Sequence, residues 1–153
     1  MKTLILSFTL LLTSTMVLAS AAPDNIIGRW QSEDKEAIFE FYKHGEHYAS
    51  KLVYGKQVVE ADGKTSKKDI HNPDPSLRDR DILGIVNIQG LTYKNARYSA
   101  GKIYDARTGK LYDCKVEIKE GALYLRGYLG VSWLGQTSVW HRLETDNTTA
   151  VEE

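Results

Sequence analysis

The sequence predicts an all-β protein, a small antiparallel barrel or sandwich of about eight to ten short strands. Apolar and polar side chains alternate with a period of two along most of the chain after residue 21. This is the spacing of strands that bury one face. Turn residues separate these runs at the close intervals that are typical of antiparallel barrels and sandwiches. After residue 21, no stretch sustains apolar residues at helical spacing.

Length and composition favour one globular domain. The chain has 153 residues, of which 42% are hydrophobic and 26% charged. These values argue against a collagen-like repeat, a disordered chain and a disulfide-stapled miniprotein. The 20 basic and 20 acidic side chains give a formal net charge of zero. Nucleic-acid binding requires a basic surface, so this class of partner is not expected.

The first 21 residues have the pattern of a secretory signal peptide. Lys2 is followed by an uncharged, leucine-rich stretch at 3–18 and by the cleavage pattern Ala19-Ser20-Ala21. A membrane anchor is the alternative, but a spanning helix needs about 20 apolar residues and this run is shorter. Cleavage after Ala21 leaves 132 residues with a net charge of −1. We therefore expect an exported protein, periplasmic or secreted, with no transmembrane segment after cleavage.

Residues 22–143 are expected to form a single β domain, and residues 144–153 a polar C-terminal tail. The predicted strands, in chain order, are 28–32, 37–43, 48–54, 82–88, 91–93, 96–104, 111–119, 122–130 and 136–143.

Two of the late strands define the expected core face. On 111–119 the alternating apolar positions are Tyr112, Cys114, Val116 and Ile118. On 122–130, Leu123, Leu125 and Leu129 share one face with Gly127, and we expect that face to point inward. Burial on an apolar face raises the pKa of a thiol, so Cys114 is expected to be an inert core residue.

The segment 61–81 does not alternate. It is polar, and it contains Asn72-Pro73-Asp74-Pro75, where two prolines block sheet pairing. At 21 residues it is longer than an ordinary connection, and such loops are usually functional or flexible. The sequence leaves open whether it is a lid or a structural clamp.

Several motifs occur in a fixed order along the chain. They are IGRW at 27–30, DIHNPDPSLRDRDILG at 69–84, GKIYD and TGKLY within 101–112, LRGYLG at 125–130 and WHR at 140–142. Together they resemble the secreted bacterial family known as domain of unknown function 2147 (DUF2147). The resemblance implies a small exported β-barrel akin to lipocalins and fatty-acid-binding proteins (a calycin barrel), and it brings no established activity. Ala106 departs from the proline expected after Asp105, which affects the stiffness of that turn.

The two ends of the domain support a closed, up-and-down barrel. Gly28-x-Trp30 begins the first strand and Arg142 ends the last one. This looks like the lipocalin-type closure, in which an arginine packs across an indole for about 0.5 to 2 kcal/mol. An open sandwich is the alternative. We expect Gly28, Trp30, Trp140 and Arg142 to have structural roles.

A cluster of acids and arginines near the long loop has two interpretations. Arg78 and Arg80 have the chemistry of a fork for a carboxylate or phosphate at the mouth of a barrel. The favoured alternative is structural, because Asp69 and its acidic neighbours compete for the guanidiniums. In that case Asp69, Asn72, Pro73 and the arginines pin the loop to the barrel wall.

Two further groups are candidate ligand contacts. Arg126-x-Tyr128 is similar to the arginine and tyrosine with which fatty-acid-binding proteins hold a carboxylate. Strand alternation places this pair on the face opposite the leucines, so an outward orientation is favoured. Tyr104 and Tyr112 lie near glycine-rich turns, and tyrosines can line an amphipathic cavity.

Other motifs indicate no chemistry. His44 and His47 form an H-x-x-H pattern, but they lie on a predicted hairpin turn with no third ligand in the sequence pattern. The sequence contains no G-x-S-x-G elbow. We therefore expect neither an enzyme nor a cofactor or metal. Trp133 and Leu134 form either a plug for one end of the barrel or an exposed contact patch.

Two functions remain. The first is a binding protein whose barrel holds a small apolar or amphipathic molecule, such as a lipid or fatty acid. The second is an envelope interaction or maintenance module with a barrel filled by its own side chains. The sequence identifies no protein partner.

Overall fold

The strands of this protein close into an eight-stranded antiparallel barrel. The computed structural model describes residues 22–144, so the predicted leader at 1–21 and the predicted tail beyond Glu144 lie outside the described residues. The strands are β1 (Gly28–Ser32), β2 (Ala37–His44), β3 (His47–Gly55), β4 (Val86–Lys94), β5 (Arg97–Asp105), β6 (Lys110–Lys119), β7 (Ala122–Tyr128) and β8 (Gln136–Arg142). Short 3₁₀ helices lie at Pro23–Ile26, Pro75–Leu77 and Ser132–Leu134.

Each strand pairs with the next in sequence, and β8 pairs with β1. The closing register places Trp30 opposite Arg142 and Gln31 opposite His141. The predicted all-β up-and-down barrel is confirmed, and the open sandwich is wrong. Because every strand has two neighbours, the closed sheet has no free edge.

The connections between strands define two ends of the barrel. The β2–β3, β4–β5 and β6–β7 turns lie at one end, together with the N-terminal 3₁₀ helix Pro23–Ile26. We call this the closed end. The β1–β2 turn, the long segment between β3 and β4, the β5–β6 turn and the β7–β8 loop lie at the other end, which we call the mouth.

The predicted division of β4 into two strands is wrong. We predicted strands at 82–88 and 91–93, whereas Val86–Lys94 is one strand and residues 82–85 precede it as turns. Gly84 and Gly90 both have positive φ angles, of 84° and 75°. Gly84 bends the chain before the strand, and the Gly90 conformation interrupts the alternation, which is why the sequence pattern is split.

Smaller boundary differences also have physical causes. Asn95 and Ala96 both have positive φ, which is the conformation of a two-residue hairpin turn, so β5 begins one residue later than predicted. β7 ends at Tyr128, and Leu129 beyond it is 60% exposed. The predicted core position of Leu129 is therefore wrong, whereas Leu123 and Leu125 are buried as predicted.

The half of the barrel next to the closed end is filled by side chains. The fully buried residues there include Trp30, Phe41, Ile88, Leu91, Tyr98, Cys114, Val116 and Leu123. A Cβ atom built on Gly101 would lie only 2.6 Å from Leu91 Cδ2 and 2.9 Å from Cys114 Sγ. This half is therefore tightly packed around Gly101. Burial raises the pKa of the Cys114 thiol to about 12. A thiol with that pKa is not a nucleophile at neutral pH.

The N-terminal 3₁₀ helix seals the closed end. Ile26 is fully buried, and its carbonyl accepts a hydrogen bond of 2.8 Å from Trp30 Nε1. Tyr98 Oη donates to the carbonyl of Pro23 at 2.7 Å, and Tyr48 Oη donates to Asp24 Oδ1 at 2.5 Å. Each hydroxyl therefore reaches out of the packed interior to hold the helix in place.

Candidate functional site

The half of the barrel next to the mouth contains a cavity of about 810 Å³. Its walls come from the inner faces of the strands and from the connections at the mouth. The apolar side chains that line it include Phe39, Leu52, Val58, Ile85, Ile103, Leu125 and Trp140. The barrel is therefore divided into a packed half and an open half. The sequence predicted either a ligand cavity or a filled barrel, and it did not predict this division.

A stacked aromatic pair forms one wall of the cavity. The rings of Phe39 and Trp140 lie 4.2 Å apart between centroids and 24° from parallel. Trp140 Nε1 donates to Ser138 Oγ at 2.8 Å, which satisfies the polar edge of the indole. The pair presents a flat apolar surface in a fixed orientation. Trp140 was predicted to be structural, and it also lines the cavity.

A glycine leaves space on β7, the strand next to the one that carries Trp140. Gly127 lies on the inward-facing row of β7 with Leu123 and Leu125. A Cβ built on Gly127 would be 3.9 Å from its nearest neighbour, Ile103 Cγ2. The contrast with the crowded Gly101 marks the boundary between the packed and the open halves.

A polar pair lies deep in the barrel, between the two halves. Ser50 is fully buried and Asn87 is 4% exposed. Ser50 Oγ donates to Asn87 Oδ1 at 2.9 Å, and Asn87 lines the cavity. Neither residue was predicted from the sequence. Ser50 alternates with Tyr48 and Leu52 on an inward-facing row, and a small polar residue in such a row is the signal that was present.

The charged residues that line the cavity belong to the turns at its mouth, and each has a partner. Arg107 holds Asp105 through two hydrogen bonds, at 2.9 and 3.1 Å, and donates to Gln57 at 2.9 Å. Partial burial acts to raise the pKa of Asp105, but the hydrogen bonds and charge of Arg107 outweigh it and lower that pKa. Glu36 pairs with Lys56 at 2.9 Å.

The long segment between β3 and β4 is fastened to the outer wall of the barrel through Asp69. This carboxylate is fully buried, and it accepts hydrogen bonds from Asn72 Nδ2 at 2.8 Å and Tyr104 Oη at 2.7 Å. It also forms a salt bridge of 2.8 Å with Arg80. Burial and the bond to Asp69 raise the pKa of Tyr104 to about 12. Arg78 Nε donates to the carbonyl of Asn72 at 2.9 Å.

These contacts are the ones that the structural interpretation of the loop requires. Pro73 follows Asn72, whose side chain also accepts from the backbone N–H of Asp74 at 2.9 Å. The loop backbone comes so close to Gly109 that a Cβ there would lie 1.9 Å from the His71 carbonyl oxygen. The anion-binding role of Arg78 and Arg80 stays a prediction, although both guanidiniums already have protein partners.

Arg126 and Tyr128 lie on the opposite face of β7 from the buried Leu125. Arg126 donates to the carbonyls of Ser132 at 2.6 Å and Trp133 at 3.0 Å, so it supports the loop between β7 and β8. Tyr104, Tyr112 and Tyr128 all contribute to the lining of the cavity. Ligand contacts by Tyr104, Tyr112, Arg126 and Tyr128 stay predictions.

The loop between β7 and β8 presents apolar side chains beside the mouth. Trp133 is 76% exposed, and Leu134 is 66% exposed. Leu129 and Leu134 also belong to the lining of the cavity opening. Trp133 does not plug the barrel, and its exposure fits the contact-patch interpretation.

Within residues 22–144, no group of three His, Cys, Asp or Glu side chains is arranged to hold a metal ion. His44 and His47 are exposed and face each other across the β2–β3 turn. In the same part of the chain, no helix has the length and apolar character needed to cross a bilayer.

Comparison with known proteins agrees with this architecture. The chain resembles the solved structure of HP1028 from the human pathogen Helicobacter pylori, a protein described as belonging to the lipocalin family. The two are 27% identical, the match covers 78% of this chain and 83% of that one, and the TM-score is 0.68. No curated protein matches the chain significantly. The model of a family described as uncharacterised proteins conserved in bacteria matches residues 28–142. The protein therefore belongs to this bacterial family, DUF2147, and has a lipocalin-like barrel.

Proposed function

We propose that this protein is an exported bacterial binding protein that holds a small apolar or amphipathic molecule in the open half of its barrel. The cavity of about 810 Å³ carries the proposal. An eight-stranded barrel has an interior just wide enough for its own side chains or for one small ligand. Here the chain fills only half of that interior, and the remaining volume lies within the range of small-molecule sites.

The chemistry of the lining supports an apolar or amphipathic ligand. The walls carry aromatic and branched aliphatic side chains together with hydroxyl and amide groups, and the apolar surface predominates. Burying about 200 Å² of apolar ligand surface is worth roughly 5 kcal/mol. Association costs of about 4 kcal/mol or more offset most of that gain. Useful affinity therefore requires a preformed site, and the Phe39 and Trp140 stack supplies one rigid wall.

We infer that the protein acts by binding rather than by catalysis. The inference rests on the lipocalin-like fold and on the character of the lining, in which each charged group is paired at the mouth. A general acid or base needs a titratable group directed at a substrate. Conversion of any bound molecule by the purified protein would refute this inference.

Export is the second part of the proposal, and the sequence pattern of residues 1–21 supports it. The test is fractionation of bacteria that produce the full chain or a chain lacking residues 2–21. We expect the full chain in the periplasm or medium as a shortened product, and the truncated chain in the cytoplasm. Equal distribution of the two chains would contradict export.

The proposed ligand can be sought directly. The protein is isolated from the envelope of a producing bacterium and examined by native mass spectrometry, and its bound molecules are extracted with organic solvent. We expect a recurrent adduct of apolar or amphipathic character. Repeated isolation of empty protein, without thermal stabilisation by a lipid panel, would favour the interaction module instead.

That second candidate function has one specific observation in its favour, the 76% exposure of Trp133 beside the mouth. An interaction module would lose partner binding on Trp133→Ser. A carrier would retain its ligand in that variant, because the aromatic wall of the cavity is formed by other residues.

A further inference from the structure

We infer that the pair Ser50 and Asn87 is a ligand-anchoring site that selects molecules with an uncharged hydrogen-bonding head group, bound head-first. The inference rests on the proposed function and specifies its ligand class. The head group would be a hydroxyl, ester, amide or undissociated acid at the deep end of the cavity. The apolar part of the ligand would then lie toward the mouth.

The side chain of Asn87 has unused hydrogen-bond donors. Its Oδ1 accepts from Ser50 Oγ, and Nδ2 has no protein partner within residues 22–144. In the same range no enclosed side-chain nitrogen or oxygen lacks a partner. Since Asn87 lines the cavity while only 4% exposed, its free amide donors are reached from the cavity. A polar group in this position is costly unless something accepts its hydrogen bond.

Ser50 and Asn87 lie where the cavity meets the packed half of the barrel. Ser50 pairs with Ile88, which is fully buried, and Tyr48 two residues earlier is bound to the helix that seals the closed end. The cavity therefore ends near Ser50 and Asn87. A ligand that enters from the mouth meets this pair with its leading end.

The charged side chains that line the cavity lie at its mouth and not at its deep end. The charged side chains of the lining are Asp34, Glu36, Asp105 and Arg107; Asp105 is the last residue of β5 at the mouth, and the other three lie in turns there. Among residues 22–144, the deep end offers a carboxamide and a hydroxyl but no cation. A carboxylate placed there would lose its hydration without gaining a counter-charge, which is strongly unfavourable. A neutral head group avoids this cost and can accept from Asn87 Nδ2.

The experiment uses displacement of the neutral fluorescent probe N-phenyl-1-naphthylamine by 1-decanol and by decanoate at pH 8. For the natural protein we expect 1-decanol to bind at least roughly tenfold more tightly than decanoate, because only decanoate is charged. Asn87→Leu should weaken 1-decanol by about three- to tenfold, the effect of one neutral hydrogen bond. Each variant is also titrated with the probe directly, so that displacement by 1-decanol is converted with that variant's own probe affinity. Gln89→Leu removes an exposed amide on the same strand, outside the cavity, and this matched control should not change the affinity for 1-decanol.

A measurement on the natural protein covers the case in which Asn87→Leu fails to fold. With labelled protein, nuclear Overhauser contacts should join the side-chain amide of Asn87 to the hydroxymethyl protons of 1-decanol. Contacts to the terminal methyl group instead would overturn the head-first orientation. Equal binding of 1-decanol and decanoate, or no effect of Asn87→Leu, would overturn the anchor while probe binding upheld the proposed function. Failure of the probe itself to bind would overturn the proposed function.

Discussion

The guanidinium of Arg142 lies 4.3 Å from the centroid of the Trp30 ring, where the last strand of the barrel meets the first. The same guanidinium donates to the carbonyl of Ile27 at 2.8 Å and to that of Asn25. One side chain thus joins the barrel closure to the N-terminal helix and to the residue that follows it. The stacking and the hydrogen bonds act on the same structural element, so their loss should be felt by the whole barrel.

Replacing Arg142 with alanine should therefore lower the free energy of unfolding by about 2 kcal/mol. Arg142→Lys keeps the charge but not the planar, forked donor, and it should recover less than half of the loss. Urea denaturation measures both. If Arg142→Ala unfolds at the same urea concentration as the natural protein, the closure has no energetic role.

The two strand glycines give a direct test of the division into packed and open halves. Gly101→Ala places a Cβ 2.6 Å from Leu91, and overpacking of this kind typically costs about 1–3 kcal/mol. Gly127→Ala meets only ordinary contact at 3.9 Å, and it should be neutral or slightly stabilising. Thermal unfolding of both variants checks the difference. Equal destabilisation would mean that Gly127 does not face open space.

The buried carboxylate of Asp69 makes the long loop dependent on its partners. Arg80→Ala removes the salt bridge and should destabilise the protein by roughly 2–3 kcal/mol, less than a fully buried pair because Arg80 is 38% exposed. Limited proteolysis should then cut within 61–81. Arg29→Ala, which removes only the exposed 3.7 Å pair with Glu40, is the control and should cost well under about 1 kcal/mol.

The same variant tests the alternative role of the arginines. If Arg78→Ala and Arg80→Ala lower stability but leave binding of decanoate unchanged, the loop is a clamp. Loss of ligand binding at unchanged stability would instead support the anion fork.

The bond between Tyr48 and Asp24 predicts a pH dependence with a defined sign. Burial, together with Asp24, raises the pKa of Tyr48 from 10.0 to about 12. The contribution of the neutral Tyr48 hydroxyl to the free energy of unfolding is complete below pH 10 and is lost as the pH rises toward about 12. The hydrogen bond from Tyr48 lowers the pKa of Asp24 below 3.8. The contribution of the Asp24 carboxylate to the free energy of unfolding is therefore complete above this pH and is lost on acidification.

Tyr48→Phe should therefore flatten the stability profile at both extremes of pH. Tyr124→Phe, on the outer face of β7, is the matched control and should keep the profile of the natural protein. Guanidinium denaturation across the pH range measures the effect. An unchanged alkaline limb in Tyr48→Phe would show that this hydroxyl does not contribute.

Cys114 should be inert to thiol reagents in the folded protein. It is fully buried, and burial raises its pKa to about 12, so little thiolate exists at pH 8. Ellman's reagent should react only after unfolding. Rapid reaction of the native protein would contradict the packed half of the barrel.

Residue patterns predicted the closure and the core faces because both depend on local alternation and on chain ends. Trp30 and Arg142 meet as expected, and Cys114, Val116 and Leu123 lie on the predicted inner face. The continuity of β4 was not predicted, because the positive φ of Gly90 interrupts the alternation.

The cavity was not predicted for a different reason. Alternation indicates which side chains point inward, but not at what depth in the barrel they lie. Gly101 and Gly127 are indistinguishable in the sequence, yet one faces a packed core and the other open space. Depth depends on the register of all strands, and register is a property of the closed sheet.

The central claim is that the open half of the barrel binds an apolar ligand, and titration with N-phenyl-1-naphthylamine tests it most directly. Gly127→Phe should fill the cavity, whereas His141→Phe adds the same ring to an exposed position on β8. Unfolding curves confirm that both variants fold. We predict saturable binding by the natural protein and by His141→Phe, and loss of binding in Gly127→Phe. Undiminished binding by a folded Gly127→Phe variant, or no binding by the natural protein, would contradict the claim.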